Sequence, residues 1–178
     1  MAVFLFLHLV YAGCAIPTMQ MQTKFDPTEH RPYLGVGNNN IKGQAFLAQH
    51  SGIVTCAGND VLLVPATTFF REAITGLNGF RKPQTAEKID AAFKPMIRRG
   101  QCDAQGNFSF QKVPDGAWFI LADVNWAAGS NNFGSPLVRQ FNIPQEGTTQ
   151  VLLTEKDLPP YGCSMKTYES VLNSFFPP

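Results

Sequence analysis

Hydrophobic and polar residues alternate most clearly between residues 102 and 126. A polar turn at 103–106 precedes a short strand with Phe108 and Phe110 on one face, and a second turn at 114–116 precedes a longer strand. One face of that longer strand carries only apolar residues, which are Trp118, Ile120, Ala122, Val124 and Trp126, whereas Asp123 and Asn125 lie on the opposite face. A period of two between turn signals is typical of strands half-buried in a sheet. The pattern therefore predicts a β-hairpin whose aromatic face packs into the core of a β-sandwich.

Short strands of the same kind are predicted elsewhere between residues 40 and 154, at 41–49, 53–56, 61–66, 96–102, 136–143 and 150–154. The segment 61–66 is apolar on both faces, which predicts a central strand, and Pro65 marks its end or a bulge because proline cannot donate to the ladder. Residues 67–95 are the least sheet-like, and within them good helix formers between Thr85 and Pro95 predict a short helix over 85–93. The expected fold is all-β, with about seven strands and one short helical insertion.

The hairpin also resembles a known family. The carboxypeptidase regulatory-like domain shows a similar run of turn, aromatic and glycine positions, matched here by Asp103, Gly106, Phe108, Phe110, Val113, Pro114 and Gly116. Residues 41–45 and 58–66 resemble the first two strands of that family. The resemblance covers residues 40–154 and implies a transthyretin-like (prealbumin-like) β-sandwich. It implies an accessory, structural or binding module and no peptidase activity, because function belongs to sites and not to folds.

Length and charge narrow the class of protein. A chain of 178 residues suggests one domain with extensions. The 44% of hydrophobic residues is enough to form a core. The 15% of charged residues is too low for a chain that is disordered throughout. The net charge of +1 does not suggest the basic face of a nucleic-acid-binding protein, so nucleic acid is not an expected partner.

The N-terminal region, residues 1–15, is typical of an export signal. Residues 2–13 form an apolar run of twelve residues, which is too short for the roughly 20 residues that cross a bilayer as a helix. Small residues directly before Cys14 resemble the bacterial lipobox, which predicts cleavage and acylation at Cys14 and a place on the periplasmic face of an outer membrane. Two alternatives stay open. One is ordinary cleavage after Ala15, giving a soluble periplasmic or secreted protein, and the other is a buried N-terminal element.

The regions on either side of the predicted sandwich lack regular patterning. Residues 16–39 contain repeated glycine, proline and asparagine residues, which predict a tether between anchor and domain. Residues 155–178 form a C-terminal tail in which Tyr168, Leu172 and Phe176 have helical spacing, as in a short helix that docks on the sandwich or on a partner.

The expected export bears on how the four cysteines are used, because thiols pair in an oxidising compartment. If Cys14 carries lipid, then Cys56 and Cys102, which flank predicted strands, are expected to form a disulfide in an oxidising compartment. This leaves Cys163 as an odd thiol in the tail. No pair of cysteines or histidines has the spacing of a zinc site, so no metal is expected.

Catalytic motifs are absent from the sequence, since it contains neither a nucleophile-elbow motif nor a metallopeptidase or phosphate-loop motif. No catalytic residue and no cofactor are therefore predicted. The expected function is a non-enzymatic, lipid-tethered envelope module that binds a protein or a glycan, or that forms part of an envelope assembly. The alternative is a small exported hydrolase or thiol enzyme that uses Cys163 or His50.

Overall fold

The computed structural model of the chain describes residues 16–79, 81–85, 94–128, 131–144, 146–159 and 175–176. Most of them lie in two four-stranded sheets that face each other as a β-sandwich. This confirms the all-β fold with a short helix.

The first sheet is built around β2 (Asn39–Gln49). Its neighbours are β10 (Gly147–Leu153), which runs parallel to it, and the antiparallel strands β3 (Gly52–Thr55) and β7 (Asn107–Val113). β7 pairs with the first half of β2 and β3 with its second half, so β10, β2 and β7 form a continuous three-stranded surface.

The second sheet has the order β6–β4–β8–β9, all antiparallel. Its strands are β4 (Asp60–Pro65), β6 (Arg98–Gln101), β8 (Gly116–Ala128) and β9 (Asn131–Ile143). β8 and β9 form a long hairpin. Outside the sandwich, β1 (Thr18–Gln20) pairs with β5 (Lys82–Gln84) as a small parallel sheet.

The core between the two sheets contains the side chains that the alternation placed inward. Phe108 and Phe110 pack there against one face of β8, whose residues Trp118, Ile120, Ala122 and Val124 are at most 2% exposed. Trp126 is only partly buried and packs at the edge of this core. The predicted inward face of β8 is therefore confirmed, with the exception that Trp126 does not reach full burial.

A second hydrophobic core lies on the outer face of the second sheet. Helix α2 (Thr68–Asn78) covers this face and buries Phe70, Ala73, Ile74 and Leu77 against Leu62, Val64, Phe119 and Leu121. The side chain of Thr67 caps the helix by accepting a hydrogen bond from the amide of Phe70. Because both faces of β4 are covered, its uninterrupted apolar sequence is required, and its predicted central position is confirmed.

Two expectations about chain organisation differ from the structure or lie mostly outside its described residues. The segment 102–126 is not a hairpin, because β7 pairs with β2 in the first sheet while β8 pairs with β4 and β9 in the second. The chain crosses between sheets at the turn around Gly116, where φ is +123°. The helical insertion lies at Thr68–Asn78, whereas most of the helix predicted over 85–93 lies outside the described residues.

Residues 16–39 are not a free tether. They contain β1, the short helix α1 (Pro27–His30) and a 3₁₀ helix at Arg31–Tyr33. His30 is fully buried: its Nδ1 donates to the carbonyl of Asp26 (2.7 Å), and its Nε2 forms a hydrogen bond with the hydroxyl of Thr67 (2.8 Å). These contacts fix the segment on α2.

The described part of the C-terminal tail also packs on the domain. Asp157, in a 3₁₀ helix at Glu155–Asp157, accepts two hydrogen bonds from Arg139 at 2.6 and 2.7 Å. Phe175 and Phe176 are buried beside α2. None of the helices in the described ranges is long and apolar enough to cross a membrane.

Candidate functional site

A shallow groove of about 740 Å³ lies on the outer face of the first sheet. Its floor is formed by β10, β2 and β7, and Gln101 and Asp103 form part of its rim. The lining is dominated by amide and hydroxyl side chains, with one lysine and one exposed leucine.

The strand register arranges the side chains of this groove as a grid. Gln150, Lys42 and Ser109 lie opposite one another on β10, β2 and β7, and Leu152, Gln44 and Asn107 form the next row. Strands are about 4.7–4.9 Å apart and side chains on one face repeat about every 7 Å along a strand. The grid therefore covers roughly 10 by 7 Å, a footprint suited to a small ligand.

Alternation along β2 explains why these side chains face outward. Ile41 and Ala45 are fully buried in the sandwich core, so Lys42 and Gln44 between them point to the opposite face. Gly43 belongs to the inner face, where a Cβ would lie 2.3 Å from the ring of Phe108. The absence of a side chain at Gly43 lets that ring pack directly on β2.

The rim beside Asn107 is a tightly bonded turn. The Asp103 carboxylate accepts hydrogen bonds from the amides of Gln105 (2.9 Å) and Asn107 (2.8 Å) and from the Asn107 side chain (3.0 Å). The Asn107 side-chain bond is the main cause that holds the pKa of Asp103 below its ordinary value, and the amide of Asn107 adds to it. The amides of the turn bind Oδ1, and Oδ2 accepts only from the Asn107 side chain.

Two glutamines of the groove are held in place by backbone carbonyls. Gln44 donates from Nε2 to the carbonyl of Gln105 (2.9 Å), and Gln101 donates from Nε2 to the carbonyl of Gly58 (3.0 Å). Within the described part of the chain, no hydrogen bond reaches the Oε1 atom of either side chain. Both glutamines thus offer an acceptor in a fixed orientation.

The structure joins Cys56 and Cys102 in the predicted disulfide, with Cα atoms 5.8 Å apart. The bridge ties the loop after β3 to the residue that precedes Asp103. Its effect on the groove is therefore positional, because it fixes the turn that forms the rim.

The other residues singled out from the sequence do not lie in the groove. His50 is exposed in the turn between β2 and β3, and the groove lining does not include it. Cys14 and Cys163 lie outside the described residues. Among the described residues, no group of three or more His, Cys, Asp or Glu side chains is arranged to hold a metal ion.

A smaller aromatic surface lies at the end of the β8–β9 hairpin. Phe133 is part of β9 and stacks on Trp126 with ring centroids 5.9 Å apart. The ring of Phe133 is 45% exposed.

Sequence reasoning missed the groove. Its only local signal is the polar half of each alternating strand, and polar outward residues are normal in any sandwich. The grid appears only when the register of β10, β2 and β7 is known.

No protein-family model matches the chain, and no curated protein matches its sequence. Among solved structures, the chain resembles a candidate carbohydrate-binding protein from Pseudomonas aeruginosa, with a TM-score of 0.60 and 22% sequence identity. The alignment covers 75% of this chain and 99% of that one. A second likeness, to the major pilin subunit of Bacillus cereus, has a TM-score of 0.39 and 10% identity and covers 66% of this chain and 30% of that one. The first likeness supports the β-sandwich fold.

Proposed function

We propose that this protein is a non-enzymatic module that binds a glycan in the groove on the first sheet. The observation that carries the proposal is the grid of outward amide, hydroxyl and amine groups on three adjacent strands, set in a groove with a defined rim. Sugars present many hydroxyl groups, each of which can donate and accept, so a fixed array of amide groups is complementary to them.

The mixture of groups in the groove favours a sugar over a purely polar ligand. Gln44 and Gln101 offer oriented acceptors, and Ser109 and Asn107 offer hydroxyl and amide groups on the same floor. Leu152, which is 49% exposed, supplies an apolar contact for the C–H face of a sugar ring. The fold likeness to a candidate carbohydrate-binding protein supports the same class of function.

Replacing both Gln44 and Gln150 with alanine should weaken glycan binding. Each lost hydrogen bond contributes about 0.5–1.5 kcal/mol, so the loss of two should raise the dissociation constant about 5- to 150-fold. The measurement is a glycan array followed by isothermal titration calorimetry with the strongest binder.

The matched control replaces Gln22 and Gln84 with alanine. Both are exposed glutamines near the small β1–β5 sheet, on the α2 side of the molecule and away from the groove. This control should bind like the wild type. Unchanged binding by the groove variant, or binding only to envelope proteins and to no glycan, would contradict the proposal.

We also propose that the module works outside the cytoplasm, anchored through an acylated Cys14 on the periplasmic face of an outer membrane. The Cys56–Cys102 disulfide supports an oxidising compartment. Because residues 16–39 pack on the domain, such an anchor would hold the sandwich close to the membrane surface, without a long tether.

Radiolabelled palmitate should be incorporated into the wild-type protein and not into the Cys14→Ser variant. The reason is that Cys14 is the proposed acylation site, and several acyl chains on one residue are needed for stable anchoring. Equal labelling of both proteins, or no labelling of either, would point to ordinary export without a lipid anchor.

A further inference from the structure

We infer that the glycan bound in the groove is acidic, and that its carboxylate or sulfate group binds the ammonium of Lys42. This inference rests on the proposed function and adds the class of saccharide to it.

Lys42 lies in the middle of one of the two rows of the grid. It lies on the middle strand, between Gln150 of β10 and Ser109 of β7, with Gln44 as its next neighbour along the same face. A ligand that covers the grid must therefore contact or pass over its ammonium group.

The ammonium group of Lys42 has no protein partner within the described part of the chain. The ion pairs found there join Arg99 to Asp60 and Arg139 to Asp157, and neither involves Lys42. Its three N–H donors therefore remain available to an anion, and hydrogen bonds between charged partners are about twice as strong as those between neutral groups.

The carboxylate of Asp103 favours one orientation of an acidic saccharide in the groove. Asp103 Oδ1 accepts the amides of the turn, whereas Oδ2 accepts only from the Asn107 side chain, so this carboxylate can still accept from a neutral sugar hydroxyl. It lies beside the row of Gln44 and Asn107, one row away from Lys42. Its charge repels an anion at that end of the groove. The acidic sugar unit should therefore lie over the row of Lys42, and a neutral unit over the row of Gln44.

The experiment begins with the full chain on an array that carries neutral glycans beside uronate- and sulfate-bearing glycans. Calorimetric titration then compares oligogalacturonate with its methyl-esterified form, which has the same backbone without the charge. We expect acidic glycans to bind best, esterification to weaken binding about 10- to 100-fold, and higher ionic strength to weaken binding of the acidic form.

Variants of Lys42 test the assignment to this residue. Lys42→Met should weaken binding of oligogalacturonate about 10- to 100-fold and remove most of the salt dependence, while Lys42→Arg should retain both. Because Lys42 is exposed, these changes should leave folding intact, and far-UV circular dichroism checks that they do. The matched control is Lys24→Met, an exposed lysine on the α2 side of the molecule, which should bind like the wild type.

The outcomes separate this inference from the proposed function. If neutral glycans bind best, or if Lys42→Met binds acidic glycans as the wild type does, the inference is wrong while a glycan-binding groove stands. If no glycan of either class binds, the proposed function itself is wrong, and the inference is wrong with it.

Discussion

Replacing Trp118 with alanine should lower the free energy of unfolding by about 3–5 kcal/mol, the usual cost of removing a buried aromatic side chain. Trp118 is fully buried, and its indole Nε1 donates to the carbonyl of Pro114 at 3.1 Å. Its ring meets that of Tyr33 edge to face at 5.0 Å, and the guanidinium of Arg98 lies over it at 6.0 Å. The substitution therefore removes core volume, a buried hydrogen bond and two ring contacts together.

The measurement is urea unfolding followed by far-UV circular dichroism, since removal of a tryptophan alters fluorescence directly. The matched control is Trp126→Ala on the same face of β8, where the side chain is only partly buried at the core edge. We expect this control to lose clearly less stability. An equal loss of stability in the two variants would contradict the argument that burial of the side chain determines the size of the loss.

The inward face of β8 could be predicted because alternation with a period of two is a local property. Trp118 and Val124 lie inward whatever strand pairs with theirs. The continuous apolar sequence of β4 could also be interpreted, as a central strand, although the sequence did not reveal that α2 covers its outer face.

Strand pairing could not be predicted in the same way. The turn at 114–116 has the composition of a hairpin turn, but here it carries the chain from the first sheet to the second. Asn39, at the start of β2, donates to the Asp115 carboxylate at 2.6 Å, a contact between residues 76 positions apart. Such a long-range contact helps to fix this crossing, and the local sequence contains no sign of it.

Helix α2 had a signal that could have been used. Thr67 is a suitable N-cap, and Phe70, Ala73, Ile74 and Leu77 follow the spacing of one helical face. Aromatic and β-branched residues in this segment have only moderate helix propensity, so propensity did not indicate the helix. In the folded chain, burial of the apolar face of α2 against the second sheet outweighs that propensity.

The packing of the N-terminal segment depends on tertiary contacts alone. Its proline, glycine and asparagine residues are also common in flexible linkers. The segment is fixed because the buried His30 finds partners in Asp26 and Thr67 and packs against Phe70. Composition cannot distinguish this arrangement from a free tether.

The groove could not be predicted from the sequence either. Alternation places Lys42 and Gln44 on the solvent side, which is the ordinary position of polar residues in a sandwich. The register that brings Gln150 and Ser109 beside Lys42 follows from one parallel and one antiparallel pairing of β2. A groove assembled from residues more than 100 positions apart becomes visible only in the folded chain.

Removal of the Cys56–Cys102 disulfide by replacing both cysteines with alanine should cost about 4 kcal/mol of stability. The bridge joins residues 46 positions apart and encloses β4, α2, β5 and β6. In the chain-entropy model, a loop of this length loses about 4 kcal/mol of unfolded-state entropy when it is closed. Since domains of this kind are stable by only about 5–15 kcal/mol, the loss should be large in any unfolding experiment.

Urea unfolding with and without dithiothreitol provides both the measurement and its control. The reductant should lower the stability of the wild-type protein to about that of the double variant, and it should leave the variant unchanged. The second arm also accounts for any effect of reducing Cys163, which both proteins retain. If peptide mapping shows both thiols reduced and dithiothreitol still does not destabilise the wild-type protein, the bridge contributes little to stability.

The double cysteine variant also tests the rim of the groove. Because Cys102 directly precedes Asp103, loss of the bridge should loosen the turn and weaken glycan binding even at urea concentrations where the domain remains folded.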